Sequence, residues 1–228
     1  MGLNDEELIE GTFIEESKNR FICTVLINNV RHECYVSSSS RLENFINLKN
    51  KRVLLSNNHT KGKRTRYTLF AVYHRKKLII LNLNIVNKLF EYIIKSGQYT
   101  EYHGYDTVKK ESEYRGYKAD ILLDGTEKLI IENKALISTD KNIEFPTVYS
   151  ERAIRQLKKL DMLLSEGCKV YYNFIALSPF INSVQISNKE VEYNRAFMQC
   201  VNHGMQVNGY RLYYEANILK SKRIQVVI

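Results

Sequence analysis

Short apolar runs separated by turn residues dominate residues 11 to 80 of the chain. Two such runs flank Asn28 and Asn29 in RFICTVLINNVRHECYV, and this Asn pair is typical of a tight β-hairpin turn. Further runs follow at regular spacing in KRVLLSNN, RYTLFAVYH and KLIILNL. The pattern predicts about five short strands, which suits a small β-barrel.

The hydrophobic period becomes helical from Asn84 onward. In NIVNKLFEYIIKSG, the residues Ile85, Leu89 and Ile93 share one helix face, and Gly97 follows as the expected C-cap. Strand-like runs at 108–114, 118–123 and 128–134 come next, and the helical patterns from about 150 to 166 and in KEVEYNRAFMQCVNHG alternate with the strand patterns KVYYNFIAL and YRLYYEANI. We therefore predict two parts, a barrel over 1–80 and an α/β (α+β) domain over 81–228. Because no Pro/Gly-rich linker separates them, the two parts should pack against each other.

Composition indicates a globular protein outside the membrane. Hydrophobic residues make up 44% of the 228 residues, which is enough for a core. The cysteines, at positions 23, 34, 168 and 200, lack the spacing of a zinc site. The acidic N-terminus does not look like a secretory signal, and no apolar run approaches the ~18 residues of a membrane span. We therefore expect a cytoplasmic protein with reduced thiols and no membrane partner.

The net charge of +9 is concentrated in one region. Residues 41 to 77 contain eleven Lys or Arg and a single acid, Glu43. Oligonucleotide-binding (OB) barrels use a positive groove with aromatic platforms, so this concentration favours an OB-like nucleic-acid-binding barrel. The predicted contact residues are Lys61, Lys63, Arg64, Arg66 and Tyr67. The competing interpretation is a solvated basic loop followed by core aromatics, and the charge does not distinguish DNA from RNA.

The second candidate site lies in KADILLDGTEKLIIENKAL, a predicted hairpin with Asp124-Gly125 in its turn. Glu132 and Lys134 share one face because residues two apart in a strand point the same way. A loop of three or five residues places Asp120 on that face too, whereas a loop of two or four residues sends it to the other face. The sequence leaves the loop length open.

Two carboxylates and a lysine on one patch suit phosphodiester cleavage. Carboxylates of this kind hold Mg²⁺ together with substrate phosphate, and a lysine can steady the attacking water or the developing charge. The alternative is an ion-pair cluster on a solvated sheet edge. Two features favour the functional interpretation: Glu111 lies one strand upstream, and the helix start SERAIRQLKKL places Arg152 and Gln156 four apart on one face, next to an expected phosphate.

These residues resemble the sugar fermentation stimulation protein (SfsA) family. The resemblance rests on the order Glu111, Asp120, Glu132-Asn133-Lys134, then Phe145-Pro146 and SERAIRQLKKL, and on earlier pieces such as HEC, SNNHTKGKRTRYT and NLNIVNKL. It implies an N-terminal OB-type barrel and a PD-(D/E)xK nuclease-like domain with a central mixed sheet flanked by helices. It also implies DNA binding and a predicted nuclease activity.

Carried over by position, the resemblance implies a role for each site residue. Asp120 and Glu132 would be ligands of Mg²⁺ or Mn²⁺, with the Asn133 carbonyl as a third. Lys134 would be the catalytic lysine and Glu111 an auxiliary acid.

Two segments match the family less closely. Arg152 and Gln156 fall in its helix motif, where Gln156 would join the catalytic group in place of an expected histidine. The segment VSSSSRL departs from the family's Pro-Asn-Thr-Gly-like loop.

The leading hypothesis is a DNA-binding protein with a metal-dependent nuclease site. Two alternatives remain: a non-catalytic DNA-binding regulatory protein with a vestigial nuclease fold, and an RNA-binding or RNA-processing factor. The sequence does not determine the oligomeric state, for which a homodimer is one option.

Overall fold

The computed structural model describes residues 1–3, 7–38, 41–58 and 64–228. Within these residues the first sheet closes into a barrel, because β1 pairs antiparallel with both β2 and β4 while β3 pairs in parallel with β5. A sixth strand extends β5 at one edge. The strands are β1 (Leu8–Glu16), β2 (Ile22–Ile27), β3 (Val30–Tyr35), β4 (Arg52–Asn57), β5 (Tyr67–His74) and β6 (Lys77–Ile80).

The predicted hairpin turn at Asn28-Asn29 is confirmed. Both residues adopt positive φ angles, 49° and 64°, and Ile27 pairs with Val30 across the turn. This is the geometry of a type I′ turn, which Asn tolerates better than most residues.

The interior of the barrel corrects one predicted contact. Tyr67 is only 6% exposed and packs in the barrel core, with its ring edge-on to His32 at 5.5 Å between centroids. Nearly every residue of β5 is buried, so the aromatic side chain at its start faces the core and is not available to stack on bases.

A six-stranded mixed sheet forms the centre of the C-terminal part, in the order β14-β13-β11-β9-β8-β7. The pairs β9–β11 and β11–β13 are parallel, and the remaining pairs are antiparallel. The strands are β7 (Tyr105–Tyr114), β8 (Tyr117–Gly125), β9 (Lys128–Leu136), β11 (Lys169–Ala176), β13 (Gln206–Glu215) and β14 (Ile218–Arg223).

Helices cover both faces of this sheet. The helices are α1 (Val86–Lys95), α2 (Glu151–Ser165) and α3 (Val191–Asn202). Helices α2 and α3 pack with Leu122 and Ile130 on one face, and α1 packs with Ile121 and Ile131 on the other. This arrangement confirms the predicted α+β class with a central mixed sheet flanked by helices.

A small parallel sheet, which the sequence did not predict, lies beside α3. It consists of β10 (Asn142–Phe145), β12 (Ser183–Ile186) and β15 (Gln225–Val227). The loop from β10 to α2 therefore starts from a fixed strand end and finishes at the helix N-cap. There Ser150 accepts a hydrogen bond from the Ala153 backbone N–H at 3.3 Å.

The two parts of the chain contact each other directly. The Ile80 backbone N–H at the end of β6 donates to the Leu177 carbonyl at 2.9 Å, and Ser37 Oγ accepts from the Leu83 backbone N–H at 2.7 Å. The rings of His74 and Phe180 pack edge to face with centroids 5.3 Å apart. These contacts hold the barrel against the mixed sheet. No helix in the described part of the chain combines the length and apolarity needed to cross a membrane.

Candidate functional site

The register of the β8–β9 hairpin brings Asp120 to the level of Glu132. Leu123 pairs with Leu129 and Ile121 with Ile131, which is the register that places Asp120 at the level of Glu132, and the last pair, Asp124 with Lys128, leaves an odd loop of three residues. The pairing ends at Ile121, so the backbones of β8 and β9 are no longer paired at Asp120. Asp120 Oδ2 accepts a hydrogen bond from the Asn133 backbone N–H at 2.8 Å. The carboxylate thus takes the place of the backbone carbonyl that a paired β8 would offer to this N–H.

Glu132 and Lys134 project from β9 to the same face and form a buried ion pair. Glu132 is 2% exposed, and its Oε1 accepts a hydrogen bond from Lys134 Nζ at 2.7 Å. Its Oε2 accepts from the Tyr117 hydroxyl at 2.5 Å. Lys134 Nζ also donates to Gln156 Oε1 on α2 at 2.9 Å. Strand β9 and helix α2 thus fix the ammonium between a carboxylate and an amide.

The two carboxylates influence each other electrostatically. Burial, followed by the negative charge of Glu132, raises the pKa of Asp120 to about 6 from its ordinary value of 3.8. The hydrogen bonds from Asn133 and Asn87 and the charge of Lys134 oppose this rise without cancelling it. The negative charge of the two carboxylates is therefore only partly compensated by the ammonium of Lys134 and by the hydrogen bonds from Asn133 and Asn87.

Tyr117 and Asn87 complete the site and were not predicted from the sequence. Burial, followed by the charge of Glu132, raises the pKa of the Tyr117 hydroxyl above its ordinary value, so this hydroxyl stays protonated and acts as a donor. Asn87, in the first turn of α1, donates through Nδ2 to Asp120 Oδ1 at 3.1 Å. Asn87 lies within the NLNIVNKL segment that carried the family resemblance, whereas Tyr117 had no sequence signal.

An asparagine row extends from Asn87 across the other face of the sheet. Asn133 Nδ2 donates to Asn87 Oδ1 at 3.0 Å, and Asn133 Oδ1 accepts from Asn173 Nδ2 at 3.3 Å. Asn208 Nδ2 then donates to Asn173 Oδ1 at 3.1 Å. Asn133, Asn173 and Asn208 are paired in register on β9, β11 and β13. The side chain of Asn133 is thus committed to this row, which leaves only its backbone on the side of Asp120.

A cavity of about 820 Å³ opens above the carboxylates. Asp120, Glu132, Lys134 and Gln156 line it together with Arg152 of α2. The opposite wall comes from the barrel and includes Arg20, Ser38, Asn44 and Phe45. The candidate site is therefore shared between the two parts of the chain.

Glu111 is not brought into this cavity. Its side chain is 62% exposed, and its carboxylate pairs with Lys118 Nζ at 3.3 Å. Its backbone adopts a φ of 49° where β7 passes Asp120, and the side chain turns toward solvent. The structure thus separates Glu111 from the residues with which the sequence grouped it.

The predicted basic contacts on the barrel have different surroundings. Lys61 and Lys63 lie outside the described residues. Arg64 is exposed and pairs with Glu33 at 3.4 Å. Arg66 is exposed, and its guanidinium lies over the Tyr67 ring at 5.4 Å. Of the two arginines among these predicted contacts, Arg64 has a carboxylate partner and Arg66 has none among the described residues.

No group of three or more His, Cys, Asp or Glu side chains forms a metal-binding cluster in the ranges that the structure describes. A metal at Asp120 and Glu132 would take its remaining ligands from water, backbone or substrate. This agrees with the usual coordination of Mg²⁺, which keeps several water ligands and binds one or two protein carboxylates.

Comparison with known proteins places these observations in a family. The model of the SfsA N-terminal OB domain matches residues 16–81, which confirms the OB-type barrel, and the model of the sugar fermentation stimulation protein RE domain matches residues 84–217. A sugar fermentation stimulation protein homolog from Caldanaerobacter subterraneus subsp. tengcongensis is 30% identical over 225 residues, covering 97% of each chain. A homolog from a Thermoanaerobacter species is 27% identical with the same coverage.

A solved structure shows the same fold. The chain is similar to Pyrococcus furiosus SfsA in complex with Ca²⁺, with a TM-score of 0.85 and 21% identity over the whole of both chains. One matched family model spans more than half of the chain, and a relative matches nearly its full length. The chain therefore belongs to the sugar fermentation stimulation protein (SfsA) family.

Proposed function

We propose that this protein binds DNA through its OB barrel and hydrolyses phosphodiester bonds at a divalent-metal site formed by Asp120 and Glu132. The observation that carries the proposal is the convergence of Asp120, Glu132 and Lys134 on one cavity, with Lys134 held by both Glu132 and Gln156. Such an arrangement is the set that a PD-(D/E)xK nuclease requires. An ion-pair cluster on an open sheet edge would not be buried at the base of a cavity.

The residues fit a divalent cation on chemical grounds. Both candidate ligands are carboxylates, which hard cations prefer, and the raised pKa of Asp120 marks a surplus of negative charge in a poorly solvated place. The Pyrococcus furiosus relative was solved with Ca²⁺, which supports a divalent site in this fold. Mg²⁺ or Mn²⁺ bound here would polarise the scissile phosphate and lower the pKa of a bound water.

The side chains around the carboxylates have separate tasks in this proposal. Lys134, fixed by two hydrogen bonds, presents its ammonium to the charge that develops on the phosphate. Gln156 orients Lys134 from α2, and Tyr117 and Asn87 orient the two carboxylates. Arg152 lines the same cavity from the first turn of α2, where the helix N-terminus also favours an anion.

DNA contact is assigned to the barrel because the charge surplus lies there. The basic segment between residues 41 and 77 forms part of the OB domain, and lysine and arginine contacts of this kind bind phosphate without reading the base sequence. We expect Arg64→Glu with Arg66→Glu to weaken DNA binding and flatten its salt dependence, as measured by fluorescence anisotropy at several salt concentrations. Unchanged binding would contradict the role of the barrel, and competition with RNA of the same sequence tests the choice of polymer.

The test of hydrolysis is cleavage of plasmid and single-stranded DNA by purified protein with Mg²⁺ or Mn²⁺. Asp120→Ala and Lys134→Ala should each abolish cleavage and leave DNA binding intact. Glu111→Ala is the matched control, since this carboxylate lies outside the cavity and its loss should leave cleavage unchanged. If the unaltered protein cleaves neither substrate with either metal, the hydrolytic part of the proposal fails and a DNA-binding protein remains.

A further inference from the structure

The cavity above the carboxylates has an exposed aromatic residue on its rim. Tyr149, in the loop between β10 and α2, is 60% exposed and lines the cavity. It forms no hydrogen bond or ring contact with any residue that the structure describes. Tyr172, Tyr193 and Tyr210, by contrast, pack against other rings in the core. Tyr149 is therefore a tyrosine whose ring is available to a ligand of the cavity.

Two arginines face the same space from opposite walls. Arg20 belongs to the turn between β1 and β2 of the barrel, and Arg152 belongs to α2. Neither forms an ion pair with a described residue, whereas Arg155, on the next turn of α2, pairs with Glu151 at 3.0 Å. The Arg20 guanidinium lies 4.9 Å over the Phe21 ring, and both arginines keep a charge that can bind a phosphate chain running between the barrel and the mixed sheet.

The depth of the site limits what can reach it. Glu132 is 2% exposed and the Lys134 side chain 16% exposed, so a scissile phosphate has to enter the cavity to approach them. The cavity of about 820 Å³ is half-open to solvent, so a nucleotide chain can enter it past the rim on which Tyr149 lies. The bases of a duplex already stack on one another, so only an unpaired or extruded base can stack on the exposed ring of Tyr149.

We infer that the cavity receives a single strand of DNA, with a base stacked on Tyr149 and the flanking phosphates held by Arg20 and Arg152. The inference rests on the proposed function, because the strand is the substrate of that same site. It also assigns the barrel wall a second task, since Arg20 contacts the strand beside the reacting phosphate. Tyr149 in the loop between β10 and α2 and Arg152 in the first turn of α2 then lie on the same side of the strand.

The test compares one DNA sequence in two forms. A fluorescein-labelled 12-nucleotide strand and its blunt duplex are titrated with the full-length protein in Ca²⁺, and gel electrophoresis of the probe verifies that it stays intact. We expect tighter binding of the strand. Base stacking is worth about 1–3 kcal/mol per base, so Tyr149→Ala should weaken strand binding by about 5- to 150-fold and Tyr149→Phe should retain it.

A matched control separates stacking from general damage. Tyr92→Ala removes a tyrosine that is 38% exposed on α1 and does not line the cavity, so strand binding should be unchanged. Arg20→Ala with Arg152→Ala should lower the slope of log affinity against log salt for the strand by about 1.4, since each phosphate contact contributes about 0.7 on single strands. Circular dichroism verifies that each variant is folded.

The outcomes distinguish this inference from the proposed hydrolysis. Equal binding of strand and duplex, with Tyr149→Ala as good as the unaltered protein, would overturn the inference even if the protein cleaves DNA. Strand binding that depends on Tyr149 in a protein that cleaves nothing with Mn²⁺ would support the inference and remove the hydrolysis.

Discussion

The raised pKa of Asp120 makes a prediction about stability that does not depend on finding an activity. The pKa lies at about 6 in the folded protein and at 3.8 ordinarily, so the ionised carboxylate opposes folding above pH 6. Replacing it by a neutral side chain of the same shape should therefore stabilise the metal-free protein. The change is Asp120→Asn, and the measured quantity is the free energy of unfolding.

The magnitude follows from the difference between the two pKa values. At 1.36 kcal/mol per pH unit, the rise corresponds to about 3 kcal/mol at pH 7. An amide offers an oxygen to only one of the two donors that Asp120 now satisfies, the Asn133 N–H and the Asn87 amide. Losing one hydrogen bond removes about 1 kcal/mol, so the expected net gain is about 1–2 kcal/mol.

The pH dependence has a definite sign. A carboxyl whose folded pKa is raised destabilises the protein when ionised, and this effect fades as the pH falls through about 6 and is gone below 3.8. The gain in the free energy of unfolding that Asp120→Asn brings should thus be about 1 kcal/mol smaller at pH 5 than at pH 7. Urea unfolding in EDTA at both pH values, followed by circular dichroism, measures this difference.

Asp124→Asn on the same strand is the control of opposite sign. Hydrogen bonding to Lys128, helped by the charges of Lys128 and Lys109, lowers the pKa of Asp124, so neutralising it should not stabilise the protein. The reasoning is refuted if Asp120→Asn is no more stable than the unaltered protein in EDTA at pH 7, or if its advantage is the same at pH 5. Added Ca²⁺ should reverse the order by stabilising only the protein that retains Asp120.

Three further changes test the surroundings of the site. Tyr117→Phe leaves one oxygen of buried Glu132 without its donor, so the free energy of unfolding in urea should fall by about 1–3 kcal/mol, and an unchanged value would contradict the 2.5 Å hydrogen bond. Asn87→Ala removes a hydrogen-bond donor from Asp120 and should weaken Ca²⁺ binding by about 10- to 100-fold in calorimetry. Asn84→Ala, at an exposed position, should leave Ca²⁺ binding unchanged, and equal Ca²⁺ affinities of the two variants would contradict a positioning role of Asn87. Ser150→Ala removes the N-cap of α2 and should lower the free energy of unfolding by about 1 kcal/mol, and a loss below about 0.3 kcal/mol would show that the cap is dispensable.

The sequence predicted those elements whose signals are local. Helix α1 was expected from its apolar face and from Gly97, which does adopt a positive φ of 69° just after the helix. The Asn28-Asn29 turn was likewise readable, because few residues tolerate that geometry. Strands β10, β12 and β15 were missed because each has only three or four residues and pairs with segments distant in the chain.

The candidate site was only partly readable for a related reason. Periodicity placed Glu132 and Lys134 on one face, but the side of Asp120 depended on a loop length that the sequence left open. Tyr67 was misjudged because a strand buried on both faces shows no alternation to reveal where its aromatics point. Tyr117 and Asn87 contact the carboxylates only because the tertiary fold brings them there, and the hydrophobic periodicity of the chain does not predict such contacts.

The asparagine row across β9, β11 and β13 has a consequence for folding fidelity. Parallel apolar strands resemble one another, and a shift by one residue would bury much the same hydrophobic area. It would also separate the amides of Asn133, Asn173 and Asn208, and because Asn133 and Asn173 are buried, each of their unsatisfied groups would cost about 1–3 kcal/mol. The amides therefore penalise misaligned pairing of β9, β11 and β13, and they fix β9, the strand that carries Glu132 and Lys134, relative to its parallel neighbours.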